Sequence, residues 1–174
     1  MLAAYAVPAA AAWTVLGLAL AVLPVRTAAL LAAVLYGCGY GAAETFGLTR
    51  LRPPGRSWQV PQDFMIGASS RRRALVWGSI LGPGFLTRNP YAGFGMLPLL
   101  VAGSGYPVYG LALGAGIGLA HGSGRAMALL RDVARPQDDP FALLLRSLRW
   151  RTLDGLALLA IAGAAIASVA GRVG

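Results

Sequence analysis

Three stretches of this chain run for nearly the length of a membrane crossing without a lysine or an arginine. They are "PAAAAWTVLGLALAVLP" (8–24), "TAALLAAVLYGCGYGAAETFG" (27–47) and "LALLAIAGAAIASVAG" (156–171). A helix of about 20 residues covers the ~30 Å hydrocarbon core of a bilayer, so the runs predict an all-α, polytopic transmembrane helix bundle. Composition agrees. Of 174 residues, 57% are hydrophobic and 12% charged, and the mean hydropathy of +0.64 is well above that of a soluble domain. A single integral membrane domain, 1–174, is expected. The opening "MLAAYAVPAAAAW" has no basic segment ahead of its apolar run, so the first span is expected to stay as an anchor and not to be cleaved as a signal.

The net charge of +9 comes from fifteen arginines, no lysine and six acids. The arginines gather in two polar stretches, 48–73 and 125–152, beside the apolar runs. Cytoplasmic membrane loops have that pattern, and the basic patch of a nucleic-acid binder does not. Arginine without lysine points to a GC-rich coding sequence, and the expected location is a bacterial cytoplasmic (inner) membrane. With one cysteine, Cys38, and one histidine, His121, an internal disulfide and a Cys/His metal cluster are both ruled out. His121 is expected at a helix end near the interface. No metal or cofactor is expected.

Helix punctuation sets spans at about 8–24, 27–47, 74–102, 108–124 and 153–171. The third is interrupted by "LGPGFLTRNPYAGFG" (81–95), where Gly82, Pro83 and Gly84 stop one half-helix and Asn89 with Pro90 starts another. Two separate crossings here would have 14 residues each, about 21 Å at 1.5 Å per residue, too short for the core. They would also place the second arginine-rich stretch outside. One interrupted crossing gives five spans, with the N-terminus in, the C-terminus out and both arginine-rich stretches in the cytoplasm.

That break is the candidate site. Free backbone N–H groups at the start of the second half-helix, the positive end of its dipole and Arg88 between Thr87 and Asn89 all favour an anion, a carboxylate or phosphate. The competing reading pairs Arg88 with Glu44 as a structural ion pair. In the following span Gly110, Gly114, Gly118 and Gly122 recur every fourth residue and predict a helix face open to close backbone approach. Whether the partner lies within the chain or in a second subunit is not readable. In "DPFALLLRSLRWR", Phe141, Leu144, Leu145 and Leu148 oppose Arg146 and Arg149, which predicts a short interfacial amphipathic helix with Trp150 at headgroup level.

The run "VWGSILGPGFLTRNPYAGFGMLPLLVAGSG" followed by "YGLALGAGIGLAHG", about 77–122, resembles the second half of the transmembrane domain of the DsbD/CcdA thiol-electron carriers. That family has a small-Pro-Cys motif in an apolar segment, followed by a Gly-rich span. Gly84 stands at the family's cysteine position and Cys38 lies in an unrelated setting, "YGCGYG". The resemblance therefore implies a redox-silent relative that keeps the broken-helix frame.

No phosphate-binding loop, zinc-protease motif or paired intramembrane carboxylates occur, so no catalytic residue is assigned and an enzyme is not expected. The expected function is a transport-type membrane protein binding a small anionic solute or lipid headgroup at Thr87, Arg88 and Asn89. The alternative is an accessory subunit docked to a larger membrane complex. Besides the lipid bilayer, the expected partner is a second copy or such a complex, and not nucleic acid.

Overall fold

The computed structural model describes residues 2–48, 66–84, 91–134 and 140–171. Among them the chain is helical and contains no strand: α1 Leu2–Ala21, α2 Arg26–Thr45, α3 Ser70–Leu81, α4 Gly93–Ser104, α5 Pro107–Ala134 and α6 Pro140–Ala170. Local chemistry sets the ends. The Ser69 hydroxyl caps α3 by accepting from the Arg72 amide at 3.4 Å. Pro107 and Pro140 open α5 and α6, where a missing N–H costs nothing. Gly105, with φ +65°, ends α4 in the left-handed conformation that glycine adopts without strain.

Two helices are long and apolar enough to cross a membrane, Leu2–Ala21 and the Leu144–Ala170 part of α6. α3 stops at Leu81 and α4 starts at Gly93. Other boundaries differ from expectation. The predicted interfacial helix and last span form one continuous helix of 31 residues, α6. Nothing breaks it, because Thr152, at the predicted boundary, bonds back to the Leu148 carbonyl at 3.1 Å without disturbing the helix. Residues 125–134, predicted as polar loop, extend α5. His121 lies inside α5, partly buried, and not at its end.

The chain forms two compact units whose segments interleave along the sequence. The first holds α3, α5 and α1 as far as Ala19. The second holds α2, α4 and α6.

In the first unit α1 and α5 run antiparallel in four-residue steps. Gly110 lies against Gly17, Gly114 against the Trp13 carbonyl, Gly118 against Ala9 and Gly122 against Tyr5. Each is a position where a β-carbon would meet backbone. α3 runs parallel to α1, with Gly78 against the Ala4 carbonyl. It ends beside the middle of α1, where the buried Trp13 indole donates to the Pro83 carbonyl at 2.8 Å.

The second unit repeats the scheme with other residues. α2 and α6 are antiparallel. A β-carbon on Gly37 would lie 2.9 Å from the Ala162 side chain, and one on Gly41 3.0 Å from the Gly155 carbonyl. α4 begins beside the middle of α2 and runs antiparallel towards its start. Tyr36 donates to the Ala92 carbonyl at 2.8 Å, and Arg26 Nε donates to the Gly103 carbonyl at 3.2 Å. Ala33, Ala92, Met96 and Leu158 form the core of this unit.

Candidate functional site

The second unit contains the one buried charged side chain among the described residues, Glu44. It lies one residue from the end of α2, on the face that α6 covers. Gly155 makes this possible: a β-carbon there would come 2.5 Å from the Thr45 hydroxyl and 2.8 Å from the Gly41 carbonyl, so α6 approaches α2 at backbone distance. One turn before Gly155, Arg151 reaches the acid. Its Nη1 stands 3.8 Å from Glu44 Oε2, with the carboxylate side chain 5% exposed and the guanidinium 38%. That distance is a charge contact and too long for a hydrogen bond. Oε2 of Glu44 and Oγ1 of Thr45 are buried and have no hydrogen-bond partner.

A cavity of about 290 Å³ opens beside these groups, lined by the end of α2 (43–48) and by Leu148, Arg151 and Thr152 of α6. Gly47, with φ +68°, turns the chain at its edge. A second, smaller cavity of about 260 Å³ is lined by Tyr91, Trp150, Leu153 and Asp154.

Asp154 answers the question of the half-helix. Its Oδ2 accepts from the Gly93 amide at 2.9 Å, at the first turn of α4. The N-terminal amides and dipole of α4 are therefore met by a carboxylate from the same chain. The other end of α4 is complementary, because Arg26 binds the Gly103 carbonyl and lies 5.1 Å from the Tyr106 ring centroid. This 12-residue helix thus has an anion at its start and a cation at its finish.

Of the sequence-predicted site residues, Thr87, Arg88 and Asn89 lie outside the described residues. Glu44 is described, and its partner there is Arg151. Gly110, Gly114, Gly118 and Gly122 are all buried against α1 of the same chain. Cys38 is exposed. Sequence reasoning missed Asp154 and Arg151. Asp154 had a signal, being the sole acid inside the last predicted span, where an ionisable residue calls for a partner. Arg151 had a weaker one: it stands three residues before Asp154, on the same helical face.

No family model matches the chain, and comparison with curated proteins and with solved structures finds no match to it.

Proposed function

We propose that the chain is a non-catalytic, transport-type integral membrane protein that holds a small polar solute or lipid headgroup at the Glu44 cavity of its second unit. The observation that carries this reading is an almost fully buried carboxylate, with one oxygen lacking a hydrogen-bond donor, beside an open cavity at the C-terminal end of α2. Ionisable residues in membrane segments are costly and are kept where they bind or relay something. The membrane setting draws support from the outward faces. Val7, Val15, Leu31, Leu35, Val108 and Leu156 are exposed, while alanines and glycines fill the interior, the inverse of a water-soluble bundle and the arrangement by which membrane helices pack.

The proposed topology has five crossings with α3 and α4 as one interrupted span. Within its own unit, α3 ends beside the middle of α1 and α4 begins beside the middle of α2. The anion site first expected at Arg88 is less well supported, since Asp154 already meets the start of α4. The accessory-subunit reading loses one argument, because the glycine face of α5 is covered within the chain.

Native mass spectrometry of protein purified in mild detergent tests the proposal. A small molecule or lipid retained by the natural protein, and lost from the Glu44→Gln/Arg151→Gln double variant, is the expected result. A bare mass in a stable complex with another polypeptide would favour the accessory role.

A further inference from the structure

We infer that the Glu44 cavity takes a primary ammonium group, presented by a lipid headgroup or by a small soluble amine. The inference rests on the solute-binding reading above and names the chemistry of the guest. Three observations converge. First, the charge contact with Arg151, at 3.8 Å, gives Glu44 Oε2 no hydrogen bond. Second, the cavity lies at the C-terminal end of α2, where the carbonyl end of the helix dipole adds negative potential and favours a cation. Third, two buried acceptors at this site without hydrogen-bond partners, Glu44 Oε2 and Thr45 Oγ1, belong to adjacent residues that line the cavity. Both accept hydrogen bonds. An ammonium brings three N–H donors, enough for both atoms and a backbone carbonyl.

Alternative guests fit less well. A phosphate or free carboxylate would face Glu44 and the negative end of α2. A quaternary ammonium carries the charge but has no N–H, so both acceptors would remain unmet. Arg151, more than a third exposed, sits at the rim, where it can pair with the phosphate of a headgroup whose ammonium points inward. The cavity volume, about 290 Å³, is at the lower end of the range for small-molecule sites, ~300–1,000 Å³. That suits a headgroup-sized molecule and nothing much larger.

The test compares thermal unfolding of the full chain in nanodiscs of phosphatidylethanolamine and of phosphatidylcholine, whose headgroups differ in N–H content. A midpoint several degrees higher in phosphatidylethanolamine is expected, with the difference absent in Glu44→Gln and reduced in Thr45→Val. Thr45→Val alters no charge and keeps the test open if Glu44→Gln does not fold. If millimolar ethanolamine raises the midpoint in phosphatidylcholine discs, the guest is a soluble amine. If only the lipid does so, it is a headgroup. Either supports the inference. Equal midpoints in both discs with no response to ethanolamine, or a response undiminished in both variants, would overturn it. A retained molecule that depends on Glu44 but bears no N–H would overturn the ammonium assignment and leave solute binding standing. Absence of any retained molecule would overturn solute binding itself.

Discussion

Both units are an antiparallel pair of long helices with a 12-residue helix alongside, yet they are held together by different chemistry. In the first, neutral contacts join α1, α3 and α5: glycines against carbonyls along α1, and an indole N–H to the Pro83 carbonyl. In the second, the short helix is held by charges at both ends, Asp154 at Gly93 and Arg26 at Gly103, and the long pair encloses Glu44 beside Arg151. The same glycine geometry therefore serves two purposes. Between α1 and α5 it brings two apolar faces together, whereas between α2 and α6 it lets α6 carry Arg151 to Glu44 and Asp154 to the start of α4. The second unit holds the buried carboxylate and the cavity on which the proposed function rests.

The largest effect expected from breaking this contrast lies in the first unit. Gly114→Leu would drive a side chain into the Trp13 carbonyl, and overpacking of this kind costs ~3 kcal/mol or more where the obstacle is backbone. Loss of monodisperse protein on size exclusion is the expected outcome. Gly116, two residues away, has nothing within 4 Å of its β-carbon position. Gly116→Leu should unfold within a degree or two of the natural protein, and equal damage from both would show that the glycine face is not a packing surface.

The next effect belongs to the second unit. Arg151→Gln removes the cation beside Glu44. A buried pair broken on one side loses ~3–5 kcal/mol, reduced to roughly 1–3 here because the guanidinium is partly exposed and screened. Adding Glu44→Gln should recover most of the loss, since no uncompensated charge then remains. Thermal unfolding of the two singles and the double variant measures this. Strictly additive losses would mean that the two side chains do not act as a pair.

Much of the scheme was legible in the chain. The i, i+4 glycines of α5, the break after Leu81 and the apolar runs gave helix identity, a close-packed face and an interruption. The partner of the glycine face was not legible, because four glycines specify a distance of approach and carry no address. α1 presents its matching stripe, Tyr5, Ala9, Trp13 and Gly17, in residues of mixed type. The interleaving of the units was hidden for a similar reason: α1 and α5 are separated by some ninety residues that belong partly to the other unit. The candidate site was half legible. Glu44 was singled out with Arg88 as its possible partner, and the charge contact described is with Arg151. Helical spacing links Arg151, Asp154 and Gly155 on one face, but their register against Glu44 is set by the contact of Gly155 with Thr45, which no local pattern encodes.

Smaller effects would sharpen the comparison. Asp154→Ala removes the carboxylate from the start of α4 and should cost ~1–2 kcal/mol, as helix N-terminal caps do. Asp154→Asn keeps an acceptor and should cost less. If the two are equal, the charge of the carboxylate carries the whole effect and a neutral acceptor adds nothing. Tyr36→Phe deletes the hydrogen bond to the Ala92 carbonyl and should cost ~1 kcal/mol, read as a small drop in the unfolding midpoint.

The topology proposed above makes α3 and α4 parts of one broken crossing in a five-span protein, with both arginine-rich stretches on the cytoplasmic side. Single cysteines at Ser57, Tyr106 and Gln137, each in a Cys38→Ser background, test it through labelling with a membrane-impermeant maleimide in oriented vesicles. The account predicts that Ser57→Cys and Gln137→Cys are labelled only from the cytoplasmic face, and that Tyr106→Cys, just beyond the end of α4, is labelled only from the opposite face. Labelling of Tyr106→Cys from the cytoplasmic side, which a hairpin of two short segments would produce, would contradict it.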